Sequence, residues 1–124
     1  MGWQAFLELW RRRDRYDIVV LARPSEKNRR LFAPHMRQAG VPPDVRRGRA
    51  EGRGLTVVWG DATEHHDLRL ALAGADWVLD AMAFISPQAD YHPEMARAVN
   101  TEAIKSIVRA IEAQPGGAER IRLI

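Results

Sequence analysis

Four polar residues stand directly after or within apolar segments, where a polar side chain needs a ligand or a hydrogen-bond partner. Arg23 directly follows an apolar run, and a guanidinium can grip a phosphate through two hydrogen bonds. Asp61 follows a second apolar run, where its carboxylate can cap the next helix. Asp80 lies inside a third run, and Asn100 lies on the apolar stripe of a predicted helix. Polar groups in such places require hydrogen-bond partners.

Metal-ligating side chains occur together at His65, His66 and Asp67. Adjacent histidines do not share a helix face, and no third ligand stands at a suitable spacing. We therefore interpret the three residues as the solvated start of a helix and predict no metal site. The chain has no cysteine, which excludes a disulfide framework.

Helical periodicity defines two of the elements that must position these residues. In the first, apolar side chains recur at i, i+3, i+4 and i+7, namely Trp3, Phe6, Leu7 and Trp10. The second extends from Pro93 to about residue 113, with an apolar stripe of Ile104, Ile107, Val108 and Ile111. Shorter helices are predicted over 26–38, between Ser25 and Gly40, and over about 63–73, capped by Thr63 or Asp61.

Short apolar runs typical of buried strands alternate with these helices, at 17–22, 55–59, 76–82 and 121–124. Residues 40–54 are rich in proline, glycine and arginine and are predicted to form a mobile surface loop. Alternating helices and strands indicate an α/β fold in which a parallel sheet carries helices on both faces. The length of 124 residues suggests one domain.

The chain carries a formal net charge of +3, and most of its basic residues are arginines. A nucleic-acid surface is one interpretation. We favour a solvated exterior, because no aromatic residues for base stacking are interleaved with the arginines. No apolar run is long enough to cross a bilayer, and no signal peptide precedes the first helix. We therefore expect a cytoplasmic protein without a membrane partner.

Three stretches then match a known pattern in order and spacing: VVLARPS at 19–25, LTVVWGDATEHHDLRLALAGADWVLDAMA at 55–83, and HPEMARAVNTEAIKSIVRAI at 92–111. Together they resemble the extended or atypical short-chain dehydrogenase/reductases, often called NAD-dependent epimerase/dehydratases. The resemblance implies a partial NAD(P)-binding, Rossmann-like domain over residues 1–124. It also implies that the first strand is absent and that the chain ends within the fifth.

The resemblance assigns two residues to the cofactor phosphates. Gly2 would be the last glycine of the family's G-x-x-G-x-x-G turn, at the helix N-terminus that faces the pyrophosphate. Arg23 stands where NAD-dependent relatives carry an acidic residue, so the resemblance favours NADP over NAD. The structural alternatives are a flexible second residue and a surface arginine.

The remaining cofactor contacts implied by the resemblance lie at the later strand ends. Asp61 and Ala62 would contact the adenine ring, and the cofactor would lie against Ala81, Met82 and Ala83. Relatives also carry an asparagine at the position of Asn100, which braces the active site. The alternatives are a helix cap at Asp61, core packing at Met82, and back-bonding that bends the helix at Asn100.

The catalytic pair of that family is missing. It is Tyr-x-x-x-Lys, in which the lysine lowers the tyrosine pKa. Here Tyr16 is followed by Val20 and Tyr91 by Met95. We therefore predict no catalytic residue and expect a truncated chain that binds a dinucleotide, with its small-molecule substrate unidentified.

Other functions remain open from the sequence. A non-catalytic nucleotide-binding sensor or subunit accounts for the missing Tyr/Lys pair, and a basic nucleic-acid-binding module is a third option. In the Rossmann-like fold the first strand is central, so its absence would leave two inner strands with unpaired backbone groups. Pairing with another chain, including a homo-oligomer, is therefore also open.

Overall fold

Helices and strands alternate through most of this mixed α/β protein, whose computed structural model describes residues 2–81 and 93–124. The helices are α1 (Gly2–Arg11), α2 (Glu26–Ala39), α3 (His65–Leu72), α4 (Pro93–Glu112) and α5 (Gly117–Arg120). The strands are β1 (Ile18–Ala22), β2 (Gly48–Glu51), β3 (Leu55–Trp59), β4 (Trp77–Val78) and β5 (Arg122–Leu123). In the described ranges, no helix is both long and apolar enough to span a membrane.

The described strands form two small sheets. In the first, of order β1-β3-β2, β1 runs parallel to β3, from Ile18 opposite Leu55 to Ala22 opposite Trp59. β2 lies antiparallel on the other side of β3. In the second sheet β4 runs parallel to β5, with Trp77 opposite Arg122. The parallel pairing expected from alternating helices and strands is thus present, within a mixed rather than purely parallel arrangement.

The loop predicted over residues 40–54 is wrong in its second half, which contains β2. Ala50 is the buried residue of this strand, at 2% exposure. Arg49 fixes the strand from outside, since its guanidinium donates to the Leu70 carbonyl at 2.6 Å and to the Glu51 carboxylate at 2.7 Å. A strand with one apolar residue facing the core leaves no alternating pattern in the sequence.

The helix predicted over 26–38 is confirmed as α2, and both of its predicted capping residues are in place. The Ser25 hydroxyl accepts the backbone N–H of Asn28 at 3.1 Å, as an N-cap does. Gly40 follows the helix with φ 71°, in the left-handed region that glycine adopts without strain.

The described residues form two apolar clusters on opposite faces of β1, since Val20 and Ala22 pack against the first and Leu21 packs against the second. The first packs α1 and α2 against the three-stranded sheet, with its largest members being Phe6, Trp10, Phe32, Met36 and Trp59. The second joins α3, α4 and the residue before β5, and includes Leu68, Leu72, Ile107, Ala110, Ile111 and Ile121. Helices therefore cover both faces, as an alternating chain requires.

The stripe predicted for α4 is only partly buried. Ile107 and Ile111 are 3% and 6% exposed, whereas Ile104 and Val108 are 47% and 37% exposed. The strand predicted over 76–82 is also shorter than expected, because β4 ends at Val78. Apolar side chains on α4 and after β4 consequently remain in contact with solvent.

Candidate functional site

One cleft of about 920 Å³ collects most of the residues predicted to bind a cofactor. β1 forms one side, the turn after β3 forms one end, and α1 and α4 form the walls. Five of the predicted residues line it, namely Gly2, Arg23, Asp61, Ala62 and Ala81. Because β1 and β3 are parallel neighbours, Arg23 and Asp61 follow strand ends that lie side by side.

The other predicted residues are not brought to this cleft by the described structure. Met82 and Ala83 lie outside the described residues. Asn100 is half-buried on α4, but the residues of α4 that line the cleft are Glu102, Ala103 and Ser106. The sequence predicted Asp80 inside a strand, but the residue follows the end of β4. Its backbone N–H donates to the Ile124 carbonyl at 3.3 Å.

The start of α1 lies against the segment that follows β4. A Cβ atom built on Gly2 would stand 3.4 Å from the Cβ of Ala81. Both residues are exposed and line the cleft, so the helix N-terminus opens onto it. The four N-terminal N–H groups of a helix lack partners within the helix and carry partial positive charge. This end of the cleft therefore favours an anionic group.

The main chain at Arg23 is held in a defined turn. Its carbonyl accepts the backbone N–H of Ser25 at 2.8 Å and the side-chain amide of Asn28 at 3.0 Å. Arg23 itself is exposed. A fixed backbone with an exposed guanidinium presents a cation at the mouth of the cleft.

Asp61 does not cap α3. Its Oδ1 atom instead accepts the backbone N–H and the hydroxyl of Thr63, at 2.9 and 2.8 Å. These two hydrogen bonds lower the pKa of the Asp61 carboxyl, and the positive charges of Arg23 and Arg47 lower it further, against a smaller rise from burial. The carboxyl is therefore ionised at neutral pH and can only accept hydrogen bonds.

The sequence pattern predicted that Asp67 belongs to a solvated helix start, but the structure buries its carboxylate beneath the Asp61 turn. Asp67 is 2% exposed, and its Oδ2 atom accepts the backbone N–H of Asp61 and the guanidinium of Arg47, each at 2.8 Å. A Cβ on Gly60 would stand 2.5 Å from the Asp67 Cγ, so glycine is needed there. The one sequence feature that pointed to Asp67 is its place in the predicted helix. It is the third residue of α3, and acidic residues in the first turn stabilise a helix N-terminus.

Several arginines that suggested a nucleic-acid surface hold the protein's own backbone. The guanidinium of Arg29 donates to the carbonyls of Val45 and Arg46, at 3.2 and 2.6 Å, and stacks 4.6 Å from the Trp59 ring. Arg13 donates to the Trp10 carbonyl at 2.8 Å. These arginines have structural roles, which weakens the case for a surface built to bind phosphates along a nucleic acid.

His65 and His66 are both exposed at the start of α3. In the part of the chain that the structure describes, no group of three or more His, Cys, Asp or Glu residues converges to hold a metal ion. The described lining of the cleft combines the Arg23 guanidinium, the carboxylates of Asp61 and Glu102, the N-terminus of α1 and the apolar side chains of α1 and β1.

No protein-family model matches this chain, and no curated protein matches it significantly. The family resemblance drawn from the three sequence stretches thus stays a prediction. What the cleft binds is inferred below from the residues that form it.

Proposed function

We propose that the cleft binds an adenine dinucleotide, with NADP favoured over NAD. The observation that carries this proposal is the placement of Arg23 and Asp61 after adjacent parallel strands, at one end of a single cleft. Open α/β sheets bind ligands outside the carboxyl ends of their strands. The volume of about 920 Å³ lies near the upper end of the usual range for ligand pockets.

The adenine, the 2′-phosphate and the pyrophosphate each have a chemical counterpart in this proposal. The ionised Asp61 carboxylate accepts from the adenine amino group, beside Ala62. The exposed guanidinium of Arg23 binds the 2′-phosphate of NADP through paired hydrogen bonds. The N-terminus of α1, at Gly2 and against Ala81, faces the pyrophosphate.

The same proposal interprets the fold as part of a Rossmann-like domain of the dehydrogenase/reductase family named by the resemblance. Support comes from the two parallel pairs, β1–β3 and β4–β5, and from helices on both faces. In that family the dinucleotide is the redox cofactor of an epimerase, dehydratase or reductase. This chain would supply the binding part of such an oxidoreductase.

A second candidate is a nucleotide-binding sensor or subunit without catalysis. It is favoured by one observation, the absence of the Tyr-x-x-x-Lys pair from the sequence. Both candidates use the same cleft and differ in whether a bound cofactor is ever oxidised or reduced.

Isothermal titration calorimetry with NADPH, NADH and AMP tests the binding proposal. We expect saturable heat with all three and the highest affinity for NADPH. Asp61→Asn should weaken all three, because an amide cannot match the carboxylate as an acceptor for the adenine amino group. The matched control is Asp76→Asn, since Asp76 is exposed and precedes β4. Absence of heat at millimolar concentrations of every ligand would overturn both candidates.

A further inference from the structure

A second pocket, of about 300 Å³, lies beside the C-terminal half of α2 and shares no described lining residue with the cleft. The helix contributes two arginines and two apolar residues, namely Arg29, Arg37, Ala33 and Met36. Val41 and Pro43 come from the segment after the helix, and Trp59 is the last residue of β3. The described lining thus combines two positive charges with apolar side chains and contains no carboxylate.

Trp59 brings a hydrogen-bond donor without an acceptor to this pocket. The residue is 0% exposed, and in the part of the chain that the structure describes its buried Nε1 atom has no hydrogen-bond partner. An indole N–H can only donate, and buried donors are almost always paired. A ligand bound against Trp59 would supply the missing acceptor.

Arg29 holds a fixed positive charge beside the Trp59 ring. Its guanidinium carbon stands 4.6 Å from the ring centroid, and its terminal nitrogens donate to the carbonyls of Val45 and Arg46. These carbonyls are neutral, and across residues 2–81 and 93–124 no carboxylate pairs with Arg29. The charge is therefore held in place but not neutralised.

Arg37 supplies a second cation, which is exposed and forms no ion pair with any described residue. The end of α2 does not occupy its guanidinium, because the carbonyls of Met36 and Arg37 already accept the N–H groups of Val41 and Gly40, at 2.9 and 3.2 Å. Its planar fork of donors therefore remains available to an anion.

We propose that this pocket binds a small organic monocarboxylate with a compact apolar body. A carboxylate accepts strongly from an indole N–H and pairs with the guanidinium of Arg37 through two hydrogen bonds. The apolar body would lie against Ala33, Met36, Val41 and Pro43. The volume limits the ligand to a small molecule, and the charge and polarity of the lining select its class.

Other classes of ligand fit this lining less well. A neutral molecule would gain nothing from the two positive charges, and a cation would be repelled by them. Inorganic phosphate would lose its hydration against apolar walls without covering them. This inference does not depend on the nucleotide proposal, since the two cavities share no described lining residue.

Two-dimensional ¹H–¹⁵N NMR tests the proposal at the Trp59 indole N–H. The chain has four tryptophans, so its indole signals are few enough to be assigned individually. Titration with sodium benzoate should move the Trp59 signal saturably, and that of Trp77, which is 65% exposed and outside the pocket, should not move. A Trp59 signal that stays in place at tens of millimolar benzoate would overturn the proposal.

Matched ligands separate recognition of the charge from filling of the cavity. Benzamide has nearly the shape of benzoate but no charge, and should bind about tenfold more weakly or less. Inorganic phosphate, which has the charge but no apolar body, should give no saturable shift of the Trp59 signal. Equal affinities for benzoate and benzamide would reveal an apolar cavity only, and a saturable phosphate shift would reveal a general anion site; either result would overturn the assignment.

Protein variants locate the site. Arg37→Gln removes the available cation at an exposed position and should weaken benzoate binding about tenfold or more. Arg30→Gln is the matched control, because Arg30 is exposed on the same helix, pairs with Glu26 and does not line the pocket. Ala33→Leu fills the pocket while both cations stay, and should abolish binding. Unchanged affinity in Arg37→Gln or in Ala33→Leu, or an equal loss in Arg30→Gln, would contradict the proposal.

Discussion

The buried carboxylate of Asp67 accepts the backbone N–H of Asp61 at 2.8 Å, and so connects the core of α3 to the turn that ends β3. The same Oδ2 atom accepts the guanidinium of Arg47 at 2.8 Å. Arg47 directly precedes β2, the strand that the sequence did not reveal. One carboxylate therefore fixes the Asp61 turn and the entry to β2 together.

Removing this carboxylate should cost stability. Asp67→Ala leaves the Asp61 N–H without its acceptor, while Arg47, at 59% side-chain exposure, can turn to water. We expect a loss of about 1–3 kcal/mol in the free energy of unfolding, measured by urea denaturation. The control is Asp76→Ala, whose carboxylate is 76% exposed and pairs loosely with Arg120 at 3.5 Å, and which should change stability by about 0.5 kcal/mol or less. Equal effects of both variants would contradict the role given to Asp67.

Gly60 should not tolerate a side chain. Its added Cβ would stand 2.5 Å from the Asp67 Cγ, so Gly60→Ala must displace the buried carboxylate or the turn. We expect a loss of about 1–3 kcal/mol by the same assay, as for overpacked positions. Gly2→Ala is the matched control, because its Cβ would meet Ala81 at 3.4 Å, an ordinary contact, within a helix that alanine favours. A Gly60→Ala variant as stable as the natural chain would refute the close approach.

Features with local causes were predictable from the sequence, and features with distant causes were not. Ser25 and Gly40 were identified because capping depends on residues within one helical turn. Ala50 and Asp67 are buried by elements far along the chain, so no local pattern marks β2 or the buried carboxylate. Ile104 was placed in the core by periodicity alone, which identifies an apolar face but not whether a neighbour covers it.

The candidate site also contains features that the sequence predicted and features that it did not. The roles of Arg23 and Asp61 were predicted from the family resemblance, and the structure places both residues in the lining of the cleft. The Thr63 bonds that replaced the expected helix cap follow from the turn geometry after β3, which the sequence does not specify. Asp80 was misplaced because β4 ends at Val78, two residues before Asp80, whereas the apolar run continues to residue 82.

The Asp61 carboxyl should make stability depend on pH in the acid range. Its pKa is lowered from the ordinary value of 3.8, chiefly by the two hydrogen bonds from Thr63. A lowered pKa in the folded state stabilises the protein above 3.8, and this contribution is lost as the pH falls through the lowered pKa. Thr63→Ala removes the side-chain donor, so the Asp61 pKa should rise, as measured by ¹³C NMR titration of its carboxyl. Thr101→Ala, at an exposed position on α4, should leave the Asp61 pKa unchanged.

Arg23 should discriminate between the two dinucleotides, since its guanidinium meets a phosphate that only NADP carries. We expect Arg23→Ala to weaken NADPH binding by about 10- to 100-fold, the size of a charge-assisted hydrogen bond, and to leave NADH binding nearly unchanged. Arg30→Ala is the matched control, because Arg30 is exposed on α2 and pairs with Glu26 within its own helix. Calorimetry on the natural protein, Arg23→Ala and Arg30→Ala compares their affinities for NADPH and NADH. An equal loss for both dinucleotides would mean that Arg23 acts through the shape of its turn, and an unchanged NADPH affinity would remove the preference for NADP.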